Sequence, residues 1–367
     1  ASLFYICSPS FHDMALSDAV GQGRICAAMQ VVDLDELKRN GALWQGRRPV
    51  LPAGRVLASG WPVLDELLGG GWPRAALAEV LSDAHQGLSL LLPLLAACSM
   101  GQMVARTSVS IMDGNIAAMD RETDLVLAEA AIPANLKLIE GLINEDPGNL
   151  ELLAAAAQGF YGYAFGFVEL TDRQRAAALY QRGFEFGRRG LQRLGVAIDF
   201  DTAVPADIDK AVAGLDKQAV PLLFWTASCW AKQIDLNRDD PARLAEVNST
   251  ERLMHRVLEL QPDYYYGGVY LYYGVYYGSR APMLGGDFAR AEQSFASARA
   301  VTQGKLLIVD VLQGEYLERQ RLDQQRFRGL LTGVLNTPVG SFPEMALANQ
   351  VARARAKYLL EKEADWF

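Results

Sequence analysis

The residue with the clearest chemistry in this 367-residue sequence is Cys98, because of what precedes it. From Leu88 to Ala97 the chain reads LSLLLPLLAA, and Cys98, Ser99 and Met100 follow at once. About ten apolar residues ending in Leu95-Ala96-Ala97-Cys98 is the arrangement of a bacterial lipoprotein signal. Such a signal has a hydrophobic run too short to span a bilayer, then small residues that fit a peptidase groove, then a cysteine to be acylated. Three acyl chains there, at about 0.8 kcal/mol per buried methylene, would anchor a protein durably. Position argues the other way: 87 residues precede the run, and the nearest upstream base is Arg74. The same ten residues read equally as a buried leucine-rich helix or strand that ends in cysteine.

Other reactive constellations are missing. The three histidines, His12, His85 and His255, lie out of helical reach of one another and of any cysteine, so no histidine-based metal site is expected. Cys7, Cys26, Cys98 and Cys229 are too far apart for a CxxC zinc site or a disulfide framework. No GxSxG elbow appears, and His255 sits on an amphipathic stretch where a surface or interface role is the default. Asp239-Asp240 precede Pro241 and read as a solvated loop and helix cap. Gly304-Lys305 has Arg299 where a phosphate-binding loop needs glycine and Leu306 where it needs Ser or Thr. Gly69-Gly70-Gly71 runs into Trp72 and Pro73 and reads as a turn. The expectation is a protein that is not an enzyme, with no cofactor and no metal.

Two residue concentrations could bind rather than react. Segment 263–278, DYYYGGVYLYYGVYYG, holds eight of the fourteen tyrosines. At helical spacing Gly267, Leu271, Gly274 and Gly278 form one stripe, Tyr266, Tyr270, Tyr273 and Tyr277 the next, and Tyr265, Tyr272 and Tyr276 a third. The glycine stripe should press against another helix, leaving tyrosine faces that either fill the core between repeats or line a channel or subunit contact. Trp225 and Trp230, with nearby Asn237, carry the same two readings. The candidate lining residues are therefore Trp225, Trp230, Asn237, Tyr266, Tyr270, Tyr273 and Tyr277. The arginines Arg173, Arg175, Arg182, Arg188, Arg189 and Arg193 form the basic concentration, either a solvated helix face or a docking surface. Arg182, Arg188 and Arg189 are the partner-docking candidates.

The elements that must position these residues differ in texture along the chain. Half of the residues are hydrophobic and 21% charged, which is globular composition, and a net charge of −8 makes nucleic acid a poor partner. Residues 1–87 are rich in Gly and Pro turn signals and read as loops and short strands. After Met100 apolar and small residues recur at helical spacing, broken by Pro147, Pro221, Pro241, Pro262, Pro282 and Pro338. A boundary is placed near Ala97, giving segments 1–87, 88–97 and 98–367. The last is expected to be all-α, a tetratricopeptide-like array of helix pairs at 150–169 with 173–193, 220–236 with 247–260, 263–279 with 287–302, and 305–320 with 323–336. A final helix from about Pro343 to Lys362 would cap it. Ala176-Tyr180-Gly183 and Ala291-Phe295-Ala298 put small, aromatic and small residues on one helix face, as stacked pairs require.

Two families are resembled. Leu43 to Arg47, Ser59 to Leu67 and Gly69 to Glu79 resemble the N-terminal region of RecA/SulA-like accessory proteins of error-prone DNA repair. The likeness stops before that fold is complete, so segment 1–87 is expected not to form an independent domain. Phe224-Trp225-Thr226-Ala227, Ile234-Asp235-Leu236-Asn237, Leu258 to Gly267, Pro282 to Asp287, Ala291-Glu292 with Phe295, and Asp323 with Phe327 to Leu331 resemble the T component of TRAP transporter systems. That likeness runs over about 98–367. It implies a periplasmic lipoprotein acylated at Cys98, forming a homo-oligomer, a trimer in the family, and docking the substrate-binding P subunit to assist uptake of a small organic ligand. Membrane contact would be through the lipid anchor alone. The alternatives are a DNA-repair accessory protein led by the first segment and a generic repeat scaffold. The first 97 residues read as a fused or misjoined reading frame, and the absence of Met at residue 1 as an incomplete start. Translated as given, the buried signal would go unread and the product would stay cytoplasmic.

Overall fold

A computed structural model describes residues 3–7, 56–57, 72–73, 77–81, 100–200 and 202–367. The chain divides into two compact units, 1–103 and 104–367. In the first, β1 (Leu3–Cys7) pairs antiparallel with β4 (Leu77–Leu81), and β2 (Val56–Leu57) with β3 (Trp72–Pro73). The apolar run 88–97 and Cys98 lie outside the described residues.

The second unit is all-α, as its periodicity implies. It opens with α1 (Met100–Asp120) and α2 (Leu125–Glu145), a pair that the sequence reading left unassigned within its helical segment. The four expected pairs then follow within a few residues of their forecast bounds. They are α3 (Leu150–Tyr163) with α4 (Arg173–Arg193), and α6 (Val220–Leu236) with α8 (Val247–Leu260). Next come α9 (Tyr264–Gly278) with α10 (Phe288–Thr302), and α11 (Ile308–Leu312) and α12 (Arg319–Arg321) with α13 (Gln324–Asn336). Short α5 (Pro205–Val212) and α7 (Pro241–Ala245) sit in the connections, and α14 (Ala346–Glu361) ends the array. No helix of the described residues is long and apolar enough to cross a membrane.

Three of the second helices start alike. Asp172, Asp287 and Asp323 accept the backbone N–H of Arg175, Arg290 and Arg326 at 2.9–3.0 Å, satisfying donors that the first turn leaves unpaired. Counting from each aspartate, the fourth and eighth residues are buried: Ala176 and Tyr180, Ala291 and Phe295, Phe327 and Leu331. The cap thus fixes which face turns inward. Where two helices must touch most closely, the side chain is deleted. A Cβ on Gly274 would lie 2.7 Å from the Phe295 ring, and one on Gly187 2.1 Å from Thr226 Oγ1. The glycine stripe of α9 does press on α10.

Two features depart from a plain stack. The first helix of a pair widens into a π-helical turn at Ala164–Val168 and again at Gln313–Glu318, an irregularity that often marks a functional position. The second is α14, which packs on α11 and α13 and also reaches α2 and the first π turn. There a Cβ on Gly166 would lie 3.3 Å from Val351. The array therefore closes back on its own beginning.

Candidate functional site

A cavity of about 380 Å³ lies inside this closed array. Every pair contributes to its wall: Met112 and Ile116 from α1, Leu136 from α2, Tyr161 and Phe165 from α3 and its π turn, and Phe224 and Trp225 from α6. Leu271 and Val275 come from α9, Ile308 and Val309 from α11, and Val351 from α14. The lining is mostly aliphatic and aromatic, which suits an apolar organic molecule rather than an ion in water.

The aromatic wall is built at the start of α9. Tyr265 and Tyr266 carry left-handed backbone, φ 45° and 57°, and Gly267 follows at 76°. Such torsions cost an L residue roughly 1–2 kcal/mol each and persist only where surrounding packing holds them. Here the Tyr265 ring meets Trp225 edge to face at 4.7 Å, and the Tyr266 ring meets Phe342 at 5.3 Å. Burial pushes the Tyr265 hydroxyl far above its ordinary range.

At another part of the wall Lys232, Asp235, Arg238 and Tyr316 reach the cavity. Lys232 Nζ donates to Glu169 Oε1 and Asp235 Oδ2, both at 2.9 Å, and to the Tyr316 hydroxyl at 3.1 Å. Arg238 Nε donates to Asp235 Oδ1 at 2.8 Å. Behind them Arg355 Nη2 donates to Glu169 Oε1 at 2.8 Å and to Glu315 Oε1 at 2.8 Å. Burial alone would neutralise these groups. For Glu169 that tendency is overcome by the Lys232 and Arg355 cations, which hold its carboxyl below the usual carboxylate range. Burial likewise opposes the Lys232 ammonium, and Glu169, Tyr316 and Asp235 keep it well above the usual lysine range. The charges are balanced and fixed; the second π turn supplies Glu315 and Tyr316, and Glu169 directly follows the first.

The candidates read from the sequence fall in three places. Trp225 and Tyr266 line the cavity. Tyr270, Tyr273 and Tyr277 face packing partners instead: Tyr273 donates to Glu251 Oε1 at 2.8 Å and stacks on Tyr277 at 5.9 Å, while Tyr270 packs between the core clusters. The cavity takes the third stripe, Tyr265, Tyr272 and Tyr276. Trp230 is core, its indole N–H donating to Glu246 Oε2 at 2.7 Å between Phe184 and Phe200. Asn237 ends α6 and donates to the Gln233 carbonyl at 2.7 Å. Arg182 pairs with Glu140 and lies over Phe160, Arg188 pairs with Glu185 at 2.6 Å, and Arg189 lies over Phe186 at 5.4 Å.

Sequence reasoning passed over Glu169, Lys232, Asp235, Arg238, Tyr316 and Arg355. A signal was present in α6, VPLLFWTASCWAKQIDL, where a lysine interrupts a helix apolar on every side; such a lysine must find a carboxylate. Asp120, the last residue of α1, also lines the cavity and was not singled out. Among the described residues no group of His, Cys, Asp and Glu is placed to hold a metal ion.

A search of curated proteins finds no significant match. The model of the TRAP transporter T-component family matches residues 121–367, which takes in every helix from α2 to the C-terminus and most of the cavity wall. With the four helix pairs, the capped second helices and most of the cavity wall within that stretch, the chain belongs to the TRAP transporter T-component family.

Proposed function

We propose that the chain serves its TRAP transporter as a ligand-holding chamber, lipid-anchored in the periplasm through Cys98, oligomeric, and docked to the substrate-binding P subunit. The observation that carries the reading is the cavity. It is lined by every helix pair, its wall is mainly apolar, and its few charged side chains are largely paired with one another, so an organic molecule would enter as an apolar body. Arg188 and Arg189, adjacent on α4, supply basic character for contact with an acidic surface of the P subunit.

The test fills the chamber. Ala348 lines the cavity from α14, and Ala348→Trp should abolish displacement of an apolar fluorescent dye while the helical thermal transition is kept. Dye binding unchanged in that variant would remove the chamber. The partner is tested by capture of the P subunit on the full chain and its loss in Arg188→Glu/Arg189→Glu. The anchor is tested by labelled palmitate, which should disappear in Cys98→Ser.

A further inference from the structure

The cavity has two polar ends, and they differ in what is left unpaired. At one end Lys232, Asp235 and Arg238 are bonded to each other, and Arg280 gives its Nε and Nη2 hydrogens to the Tyr276 carbonyl at 3.3 and 3.1 Å. At the other end Asp120 reaches the cavity with no hydrogen bond and no ion pair among the described residues. Burial raises its pKa from 3.8 to about 6. Its carboxyl lies close enough to Tyr265 and Tyr266 that, after burial, its charge is among the causes raising both phenols. Those two rings form an aromatic cluster with Trp225, 4.7 Å from Tyr265, and Phe342, 5.3 Å from Tyr266, and Asp120, Tyr265, Tyr266 and Trp225 all line the same cavity. The strained backbone of Tyr265 and Tyr266 holds the rings there.

Aromatic faces with a carboxylate are the chemistry that recognises an ammonium group, the rings by their negative quadrupole faces and the carboxylate by charge. An organic anion meets the opposite: Asp120 repels it, and Glu344 adds further negative charge near Tyr266. The remaining charges nearby are committed or outside. Glu122 accepts from the N–H groups of Thr123 and Asp124, Asp124 caps α2, and Arg121 is exposed and not part of the wall. From Gly268 to Tyr276 the cavity follows α9 for roughly 12 Å at 1.5 Å per residue, lined by Leu271 and Val275. An apolar body fits there.

We propose that Asp120, Tyr265 and Tyr266 form a cation clamp that takes the ammonium end of an otherwise apolar ligand, whose body lies along α9. The assignment rests on the chamber reading given above and adds the chemical class of the occupant.

The test uses the full chain and three probes with the same apolar tail, decylammonium, decanol and decanoate, each displacing a neutral apolar dye at about pH 7.5. Decylammonium should act at about tenfold lower concentration than decanol, with decanoate weakest. Asp120→Asn should remove that preference and leave decanol unchanged, and Tyr266→Leu should reduce it. Lowering the pH through the carboxyl's titration should weaken decylammonium in the wild type and not in Asp120→Asn. Decanoate binding as well as decylammonium, or the preference surviving Asp120→Asn, would overturn the clamp while leaving the chamber standing. A dye that never binds would overturn both.

Discussion

Lys232 Nζ lies 2.9 Å from Glu169 Oε1, and the two residues belong to different helix pairs, Glu169 at the end of the first π turn and Lys232 on α6. Both are buried. Through Tyr316 and Arg355 the same contact extends to the second π turn and to α14. One ion pair therefore joins the first pair, the second, the fourth and the last helix behind the cavity wall. Truncating one partner of such a pair leaves a buried uncompensated charge. Lys232→Met should lower stability by about 3–5 kcal/mol, and adding Glu169→Gln should restore part of the loss. Urea unfolding of the single and double variants measures both effects.

Stability should depend on pH in two opposite ways. Glu169 and Asp235 titrate below their ordinary values of 4.5 and 3.8 in the folded chain. Their stabilisation is complete above those ordinary values and is lost as the pH falls through the folded ones, because the unfolded chain takes up protons first. Asp120 runs the other way. Raised from 3.8 to about 6, it binds its proton more tightly when folded, so stability declines as the pH rises across that interval. Asp120→Asn should melt higher than the wild type above about pH 6 and equally at about pH 3. A thermal melting series across pH checks the crossover.

Two glycine substitutions should have opposite signs. Gly187→Ala drives a Cβ to 2.1 Å from Thr226 Oγ1 and 3.2 Å from its Cα, forcing α4 and α6 apart; a loss of about 1–3 kcal/mol is expected from overpacking. Gly141 on α2 is exposed with nothing within 4 Å, so Gly141→Ala should gain about 0.5–1 kcal/mol of helix stability. Denaturant midpoints of the two variants make the comparison.

Ligand occupancy should be visible in one indole. Trp225 lines the cavity against Tyr265, whereas Trp230 is enclosed by Phe184 and Phe200. Tryptophan emission should shift when the cavity fills, the shift should vanish in Trp225→Phe, and it should survive in Trp230→Phe. Persistence of the full shift in Trp225→Phe would put the ligand elsewhere.

The helix pairs were legible because their signals are local. A small residue, an aromatic four positions on and another small residue three beyond lie within one helix, as the buried Ala291, Phe295 and Ala298 show, and Pro262 and Pro338 follow the last turns of α8 and α13. The wall of the cavity was legible only in part. Counting stripes along α9 assumes unbroken α geometry, and nothing in the residue types of Tyr265 and Tyr266 announces positive φ, which tertiary packing against Trp225 and Phe342 enforces. The ion network was hidden for a similar reason. Glu169 and Arg355 are 186 positions apart, and their meeting follows from the return of α14, a long-range event with no short sequence signature.

The return of α14 to α2 has a consequence for how such a protein can evolve. Open solenoids lengthen or shorten by whole units, because each unit touches only those beside it. Here the last helix meets the first π turn at Gly166 and Val351, and an inserted pair would separate them. Copy number is thereby locked by geometry, and change is confined to side chains facing inward, where one substitution alters what the chamber accepts without altering how many units enclose it.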